Sequence, residues 1–244
     1  MKNYLFFLFY VLLNPWLIRL LLKKIYLPAY PQYAWLKKYN INTVIDIGAY
    51  HGDVSKVMSH LFPNAAIYAF EPNPGQYQKM KRSCYKLNNF IPINIALSNK
   101  GGRKTNFYVN AYAPASSLLP PSATYKKIDK RVTKLTKISI MTTALDIYFN
   151  DKKLKKNIFI KMDTQGTEKL VLQGGRKILE QASIVHIETS FKKLYKNQCL
   201  FNDIYEILTG FGYRYKGSMT ESHFYPDYQL SDQENSIFIK DNIS

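Results

Sequence analysis

The sequence predicts an α/β protein built on a doubly wound, mostly parallel sheet, with a C-terminal antiparallel hairpin and an N-terminal apolar helical segment. Two observations predict this fold class. Short apolar runs alternate with helical patterns through much of the chain, which is typical of βαβ units. One such run ends in a glycine turn and the next ends in a single carboxylate, as expected where parallel strands present a ligand site at their carboxyl ends.

Five short runs rich in Ile, Val and Phe predict the core strands of the sheet. They are Thr43–Ile47, Ala66–Phe70, Ile91–Ile95, Ile158–Met162 and Ile184–Ile187. Helical periodicity fills the two gaps between the first three runs, at Val54–Leu61 and Gln76–Leu87. This alternation predicts parallel pairing, because parallel neighbours need a crossover connection.

The alternation breaks down between residues 95 and 158. Thr105–Val109 and Ile138–Met141 predict two additional strands, and the run Ala113–Pro121 contains too many prolines for regular structure. Long irregular insertions in compact enzymes commonly serve as lids or binding loops. We therefore expect the loop that carries Ser116 and Ser117 to cover a ligand.

The C-terminal region predicts one more helix and a hairpin. The helix is Asp203–Leu208, and the two strands are Tyr213–Tyr215 and Ser236–Ile239. The loop between these strands carries three polar residues of catalytic type, Glu221, His223 and Asp227.

The composition predicts one catalytic domain, residues 32–244, without a disulfide framework or a zinc site. The two cysteines, Cys84 and Cys199, lie far apart and have no Cys or His neighbours at metal-ligand spacing. Much of the net charge of +17 lies in two lysine-rich runs, residues 126–137 and 152–156. Such runs either attract a polyanion, namely nucleic acid, anionic lipid or an acidic glycan, or form solvated loops.

Residues 1–31 form a separate apolar and basic segment. Tyr4–Leu22 is almost wholly apolar, but Asn14 and Pro15 interrupt it and Arg19 falls inside it. The proline disfavours a spanning helix, and no signal-peptide cleavage site follows. Three placements stay open: a helix on an anionic membrane surface through residues 4–24, a helical pair packed on the domain or in a dimer, and a true span. We expect a cytoplasmic protein, peripheral on the inner face of the cytoplasmic membrane under the first placement.

The most informative motif is the strand-turn-helix run Thr43–Asp53, which is answered by Glu71 at the end of the next strand. Gly48 and Gly52 allow a sharp turn and a close ligand approach, and the turn aims free amide groups of the following helix at whatever lies above the strand ends. Glu71 follows Gly48 at about the 20-residue distance that places an acid on ribose hydroxyls. This arrangement predicts a nucleotide-cofactor site.

Spacing excludes two common nucleotide classes. A dinucleotide fold needs Gly-x-Gly-x-x-Gly, whereas this loop has glycine only at Gly48 and Gly52, and no phosphate loop of the form Gly-x-x-x-x-Gly-Lys-Ser/Thr is present. A nucleoside without phosphate remains, and S-adenosylmethionine is the leading candidate. The expected cofactor contacts lie near the ends of the first three strands: Asp46, Gly48, Ala49, Tyr50, Gly52, Glu71, Pro72 and Ala96.

Five motifs occur in an order that resembles the FkbM family of S-adenosylmethionine-dependent methyltransferases. They are Val44–Ala49, Phe70–Pro74, Thr143–Asp146, Phe159–Glu168 and His186–Glu188. The matching positions cover nearly all of the chain outside its N-terminal segment. The chain departs from the common family pattern at Tyr50, where Asn is frequent, and at Gln165, where many members have Glu.

The resemblance implies a class I, Rossmann-like methyltransferase fold and O-methylation of a hydroxyl group in a glycan, sugar or related small molecule. Such an enzyme must align an alcohol with the methyl group and remove its proton. Asp163 and Glu188 are expected at the ends of neighbouring strands, with Lys161 on the same strand face as Asp163. We therefore expect Asp163, Lys161 and Glu188 to be the catalytic residues.

Structural roles for some of these residues stay open. Asp163 could instead cap the turn at Gly166, and Glu168 is expected to stabilise the dipole of the helix that it begins. His186 lies inside an apolar strand and is expected to be a core residue with satisfied hydrogen bonds.

Two other chemical arrangements also stay open. His51 and His223 are alternative bases, although neither has a visible partner in the sequence. Asp163 and Glu188 could together bind Mg²⁺, with Asp146 the nearest candidate for a third acid, but a metal site is not favoured.

Two functions of a different class compete with glycan methylation. The net charge suits RNA methylation, but the adenine-amino motif Asn/Asp-Pro-Pro-Tyr/Phe is represented only by Leu119–Ser122, and neither cysteine lies near a strand end as a nucleophile. Nucleic acid is therefore a disfavoured partner. A non-catalytic scaffold at the membrane is disfavoured further, because Glu71 and Asp163 are both present.

Overall fold

The computed structural model describes residues 29–219 and 232–241. The apolar segment Tyr4–Leu22 and the loop residues Glu221, His223 and Asp227 lie outside the described residues. Among the residues that are described, no helix is long and apolar enough to cross a membrane.

Among the described residues, seven strands form the central sheet, in the spatial order β3-β2-β1-β7-β8-β10-β9. Their bounds are β1 Thr43–Ile47, β2 Ala66–Phe70, β3 Phe90–Ile93, β7 Ile158–Met162, β8 Ala182–Ser190, β9 Tyr213–Ser218 and β10 Gln233–Lys240. All neighbours pair in parallel except β10, which runs antiparallel to both β8 and β9. The predicted doubly wound sheet with its C-terminal antiparallel hairpin is therefore confirmed.

Eight α-helices connect or flank these strands within the described residues. Their bounds are α1 Ala29–Ala34, α2 Asp53–Leu61, α3 Pro74–Cys84, α4 Ala123–Ile128, α5 Leu145–Tyr148, α6 Glu168–Gly174, α7 Arg176–Gln181 and α8 Phe201–Gly210. Short 3₁₀ turns lie at Trp35–Tyr39, Ala113–Ala115 and Lys130–Thr133. The start of α3 shows why the chain turns where it does, because the Asn73 side chain accepts hydrogen bonds from the amides of Gly75 and Gln76.

The core lies on both faces of the sheet, as a parallel sheet requires. β1 and β7, which are adjacent at its centre, are buried along their whole length. Alternate residues serve different faces: Ile45 and Ile160 belong to one apolar cluster, whereas Val44 and Phe159 belong to the other. The charged residues of these two strands, Asp46 and Lys161, each lie one position before the strand ends.

A second, three-stranded sheet contains the two additional strands that the sequence predicts. Its order is β4-β6-β5, with β4 Ala96–Leu97, β5 Arg103–Asn110 and β6 Leu135–Thr143. We call residues 111–134, which connect β5 to β6, the capping segment. Its position decides which side chains cover the strand ends of the main sheet.

Helix α1 runs through residue 31, where the sequence analysis places the boundary of the catalytic domain. Tyr30 and Tyr33 of this helix are buried in the same apolar cluster as Val57 of α2. The helix is therefore part of the folded domain, because its aromatic side chains cover one face of the sheet. The separate character of residues 1–28 stays a prediction.

Candidate active site

A cavity of about 240 Å³ lies at the carboxyl ends of β1, β2 and β7. Ile47 of β1 pairs with both Phe70 and Met162, so the residues that follow these three strands emerge side by side. Because the chain order reverses at β1, this edge is the topological switch point where open α/β sheets bind ligands. Glu71 and Asp163 line the cavity from opposite sides of β1, roughly 10 Å apart at two inter-strand spacings.

Gly48 allows the backbones at the carboxyl ends of β1 and β7 to pack closely. Its backbone has φ +77°, and a β-carbon at this position would lie 1.9 Å from the carbonyl oxygen of Asp163. No side chain fits there, so the glycine is needed for close backbone packing as well as for the turn. Ala49 and Tyr50 follow it along the cavity wall.

Several amide groups of the turn itself are used within the protein. The amides of Gly48 and Ala49 both donate to the carbonyl oxygen of Phe70 at 3.0 Å, and the amide of Gly52 donates to the Ala49 carbonyl at 2.7 Å. These hydrogen bonds tie β1 to β2 and shape the turn. These turn amides are therefore not available to a ligand, and a contribution from the first amides of α2 stays a prediction.

Gly52 also lies away from the cavity lining. A β-carbon there would lie 2.5 Å from the sulfur of Cys84, so the glycine allows α2 to begin close to α3. Tyr50 does line the cavity, with φ +50° and its ring stacked on His51 at a centroid distance of 3.7 Å. His51 has a partner that the sequence did not show, because its Nε2 lies 2.7 Å from Oε1 of Gln76.

Glu71 is held in one orientation by two backbone amides. Its Oε2 accepts from the amide of Tyr50 and its Oε1 from the amide of Asn73, each at 2.8 Å. Each oxygen keeps a second lone pair that a ligand hydroxyl can use. Burial raises the pKa of Glu71 to about 7. Pro72 and Ala96 line the cavity beside it.

Asp46 lies beneath the cavity rather than in its lining. It is fully buried, its Oδ2 accepts from the hydroxyl of Ser55 at 2.7 Å, and its Oδ1 lies 3.8 Å from Nζ of Lys161. Burial raises its pKa, and the Lys161 charge opposes that shift. Asp46 is therefore not one of the residues that line the cavity, although the sequence analysis expected it to be a cofactor contact. It instead contacts Lys161 and Ser55 of α2.

Lys161 lies between two carboxylates, those of Asp46 and Asp163. Its Nζ donates to the carbonyl of Gly48 at 3.0 Å and lies 3.7 Å from Oδ2 of Asp163. Burial by itself lowers the pKa of Lys161, but the charges of Asp163 and Asp46 outweigh it and raise the value. Lys161 therefore stays positive and lines the cavity together with Asp163.

Gln165 connects Asp163 to Glu188. Its side-chain nitrogen donates to Asp163 Oδ1 at 2.7 Å and to Glu188 Oε2 at 2.9 Å, while its Oε1 accepts from the hydroxyl of Tyr195 at 2.8 Å. Burial and the neighbouring Asp163 charge raise the pKa of Glu188 well above its usual range. Glu188 does not line the cavity, whereas Gln165 does. The sequence analysis did not assign Gln165 a role in the site. Its position two residues after Asp163 in the same motif is the one signal that could have suggested such a role.

The alternative capping role of Asp163 is filled by another residue. Glu168 Oε1 accepts from the amides of Thr164 and Gly166 at 2.9 and 3.2 Å, and from the hydroxyl of Thr164 at 3.0 Å. Glu168 therefore fixes the turn that follows β7, in addition to lying in the first turn of α6. Asp163 is left with about a third of its side chain exposed, beside Lys161.

Residues 46–215 match the family model described as the methyltransferase FkbM domain, which covers more than half of the chain. The chain belongs to the FkbM methyltransferase family. It is an S-adenosylmethionine-dependent methyltransferase, as the motif order predicted. Gly48, Glu71 and Asp163 all fall within the matched residues.

Among curated proteins, this FkbM methyltransferase is similar to the 2-O-methyltransferase NoeI of Sinorhizobium fredii (strain NBRC 101917 / NGR234). The two are 24% identical over 174 residues, which cover 69% of this chain and 71% of NoeI. Similar solved structures include the magnesium protoporphyrin IX methyltransferase ChlM of Synechocystis PCC 6803 with bound SAM. It has a TM-score of 0.47 and 12% identity, with 87% of this chain and 76% of that chain covered.

A second solved structure of similar fold is an rRNA methylase of Streptococcus thermophilus. Its TM-score is 0.47 at 10% identity, with 86% of this chain and 93% of that chain covered. At such scores neither structure bears on the acceptor of the FkbM methyltransferase.

The chemistry of the cavity fits S-adenosylmethionine. A nucleoside needs acceptors for its ribose hydroxyls and an apolar surface for its base, and the cavity supplies both. Glu71 presents two oriented carboxylate oxygens, and Ile95, Leu97 and Phe107 provide apolar surface next to it. Glu71 and these apolar side chains would hold the nucleoside, while Asp163 and Lys161 would lie near the reacting end.

Asp146 is not available as a third metal ligand beside Asp163. Its two carboxylate oxygens accept from the amides of Lys177 and Ile178 at the start of α7. Across residues 29–219 and 232–241, no three His, Cys, Asp or Glu residues lie close enough to hold a metal ion together.

His186 is a buried core residue, as the sequence analysis expected, with one ring nitrogen satisfied. Its Nδ1 lies 3.1 Å from the hydroxyl of Tyr33, whereas Nε2 has no hydrogen-bond partner among the described residues. Burial lowers the pKa of His186 to about 3, so the ring is neutral. It lies beside Lys161 on the neighbouring strand and does not line the cavity.

Proposed function

We propose that this enzyme transfers the methyl group of S-adenosylmethionine to a hydroxyl oxygen of a glycan, sugar or related small molecule. The observation that carries the proposal is the position of Asp163, a partly exposed carboxylate that lines the cavity across β1 from Glu71. The similarity to a 2-O-methyltransferase supports oxygen as the methylated atom.

The residues around Asp163 suit removal of a hydroxyl proton. S-adenosylmethionine supplies an electrophilic methyl group. Asp163 accepts the proton as the alcohol oxygen becomes methylated, with Gln165 holding one carboxylate oxygen and Lys161 placing a positive charge 3.7 Å from the other. Glu188 is the weaker candidate for the base, because its raised pKa favours the protonated form and it lies off the cavity lining.

Product analysis tests this proposal. Purified enzyme is incubated with methyl-labelled S-adenosylmethionine and oligosaccharide fractions from the source organism, and labelled products are hydrolysed in alkali. An O-methyl ether survives alkali, whereas a methyl ester does not. Label found in esters, amines or RNA instead would contradict the proposal.

We also propose that residues 4–24 attach the enzyme to an anionic membrane surface on the cytoplasmic side. The support is the apolar run Tyr4–Leu22 with the lysines that follow it. Such an attachment would bring the enzyme to lipid-linked or membrane-proximal acceptors.

A further inference from the structure

Two lysine-bearing segments that are distant in the sequence meet beside the active site. The amide of Ser122 donates to the carbonyl of Leu194 at 2.8 Å, and the amide of Lys196 donates to the carbonyl of Pro120 at 3.0 Å. We call the lysines that these contacts bring together the basic surface. It consists of Lys126, Lys127, Lys130 and Lys134 of the capping segment with Lys193 and Lys196.

In the described part of the chain, little acidic charge lies beside the basic surface. Asp129 is the one acidic residue between residues 111 and 137, and both of its carboxylate oxygens accept hydrogen bonds from Arg131. None of the six lysines forms an ion pair with a described residue. A surface of this kind attracts anions, and its attraction weakens with salt.

The basic surface is connected to the part of the cavity wall that carries Asp163 and Gln165. The inner face of the capping segment lines the cavity through Ser116 and Leu118. The Ser117 hydroxyl donates to the backbone carbonyl of Gln165 at 2.7 Å, and the ring of Tyr125 packs edge-on against Tyr195, which itself donates to Gln165. The lysines therefore flank the residues that hold Asp163.

The aromatic rings of the same region already have partners. Arg131 lies over the Tyr112 ring at 4.1 Å from its centroid, Tyr125 packs on Tyr195, and Phe191 stacks on Phe201 at 5.5 Å. Single-stranded nucleic acid needs exposed rings on which its bases can stack. In the described part of this region Phe191 is 46% exposed, whereas Tyr112 and Tyr125 are half-buried, so at most one ring could serve as such a platform. Charge therefore dominates the basic surface, which favours an anionic chain of sugars over RNA.

We propose that the acceptor is a negatively charged glycan, whose anionic groups lie on the basic surface while one of its hydroxyls reaches Asp163. This proposal rests on the proposed function and narrows its substrate class. The glycan must carry carboxylate or other acidic groups a few sugar units from the methylated hydroxyl, because the lysines lie beside the cavity and not in its lining.

Binding of matched oligosaccharides tests the proposal. The probes are oligogalacturonides and oligogalactosides of equal length, which differ in the carboxylate of each unit. The full-length enzyme should bind the oligogalacturonide at least about tenfold more tightly, the combined effect expected of a few exposed ion pairs, and high salt should abolish the difference.

A matched pair of variants locates the binding. Lys127→Gln/Lys130→Gln/Lys193→Gln removes three charges from the basic surface. The control Lys153→Gln/Lys155→Gln/Lys156→Gln removes three exposed charges just before β7, at the opposite edge of the sheet from Asp163. The first variant should lose about tenfold in affinity for the oligogalacturonide, and the control should lose less than twofold.

Three outcomes would overturn the acidic acceptor. Equal affinity for the oligogalacturonide and the oligogalactoside would contradict an acidic acceptor. Equal losses of oligogalacturonide affinity in the two triple variants would also contradict it. Tighter binding of single-stranded RNA or of phosphatidylglycerol vesicles that depends on the same three lysines would reassign the basic surface to that partner. S-adenosylmethionine affinity and ether formation, measured in parallel, show separately whether the proposed function itself has failed.

Discussion

The side-chain amide of Gln165 donates to Asp163 Oδ1 at 2.7 Å, and the same nitrogen reaches Glu188 Oε2 at 2.9 Å. An amide can donate two hydrogens, one to each carboxyl group, whereas a carboxylate in its place could donate neither. Gln165 thereby holds Asp163 in one orientation and separates it from Glu188. It is a positioning residue for the carboxylate that faces the cavity.

Gln165→Glu should therefore change the pH dependence of the reaction. A third carboxyl group between Asp163 and Glu188 disfavours ionisation of the cluster, because like charges so close together repel. The acidic limb of the kcat profile should move to higher pH by about one unit, with the KM for S-adenosylmethionine changed less than twofold. Steady-state kinetics between pH 5.5 and 9 measure both quantities.

Gln165→Met is the control for this change. It keeps a similar volume but removes the donor without adding charge, so kcat should fall while the acidic limb moves less than in Gln165→Glu. An unshifted limb in Gln165→Glu, in a variant with normal thermal stability, would contradict a positioning role.

Asp163→Asn should abolish most of the turnover and leave the fold intact. Glu168 and not Asp163 fixes the turn after β7, so the substitution removes the base without removing a cap. We expect kcat to fall by about two orders of magnitude or more, with little change in S-adenosylmethionine affinity. Retained turnover would move attention to His51, which also lines the cavity.

Addition of EDTA separates proton removal by Asp163 from activation of the hydroxyl by a metal ion. Wild-type activity should be unaffected by the chelator. Loss of activity that Mg²⁺ restores would make Asp163 and Glu188 metal ligands and replace the proposed mechanism.

Cofactor affinity should depend on pH through Glu71. Burial raises the pKa of Glu71 to about 7, and its ionised form is the better acceptor for ribose hydroxyls. Affinity for S-adenosylmethionine should rise as the pH increases through 7 and then level off. In Glu71→Gln it should be weaker by roughly 1–3 kcal/mol at pH 8 and lack this dependence. Calorimetric titrations between pH 5.5 and 8.5 provide the measurement.

Glu71 should make folding stability fall as the pH rises, whereas it makes cofactor affinity rise. A carboxyl group whose pKa is higher in the folded state stabilises the fold below its unfolded pKa, and this contribution is lost as the pH rises through 7. From pH 4.5 to 7.5 the free energy of unfolding of the wild type should fall relative to that of Glu71→Gln, by up to ~3 kcal/mol. Urea titrations of the two proteins without cofactor would show it, and parallel pH curves would exclude it.

Gly48→Ala should be far more disruptive than another glycine substitution at positive φ. Both Gly48 and Gly102 have φ near +70°, but a β-carbon meets the Asp163 carbonyl at the first and nothing within 4 Å at the second. We expect Gly102→Ala to cost about 1 kcal/mol and Gly48→Ala more than ~3 kcal/mol. Similar midpoints of thermal unfolding in the two variants would show that β1 and β7 can separate at their ends.

Membrane attachment is predicted to reside in the residues before α1. Full-length enzyme should sediment with phosphatidylglycerol vesicles, whereas a chain that begins at Ala29, and so retains Tyr30 and Tyr33 in the core, should bind far less. Equal sedimentation of the two proteins would assign the attraction to exposed lysines of the folded domain instead.

The sequence predicted much of the fold and of the cofactor side of the site. β1, β2 and β7 were predicted with their observed bounds, because strands buried on both faces are uninterrupted apolar runs. Glu71 and Gly48 could be recognised because a turn and a following acid have a fixed spacing along the chain. The role expected for Gly52 could not be checked in the same way, since its close approach to Cys84 of the neighbouring helix is not visible in a linear motif.

What the sequence by itself determined about this protein is therefore its local content: the strands, the glycine turn, the acid after β2 and the family to which these motifs belong. Only the tertiary structure decided that Asp46 lies beneath Lys161, that Gln165 joins Asp163 to Glu188, and that two lysine segments meet beside the cavity. The physical reason is that each of these relationships depends on which strand ends and loops become neighbours. Sheet order and register set that arrangement, and residues far apart in the chain supply its parts.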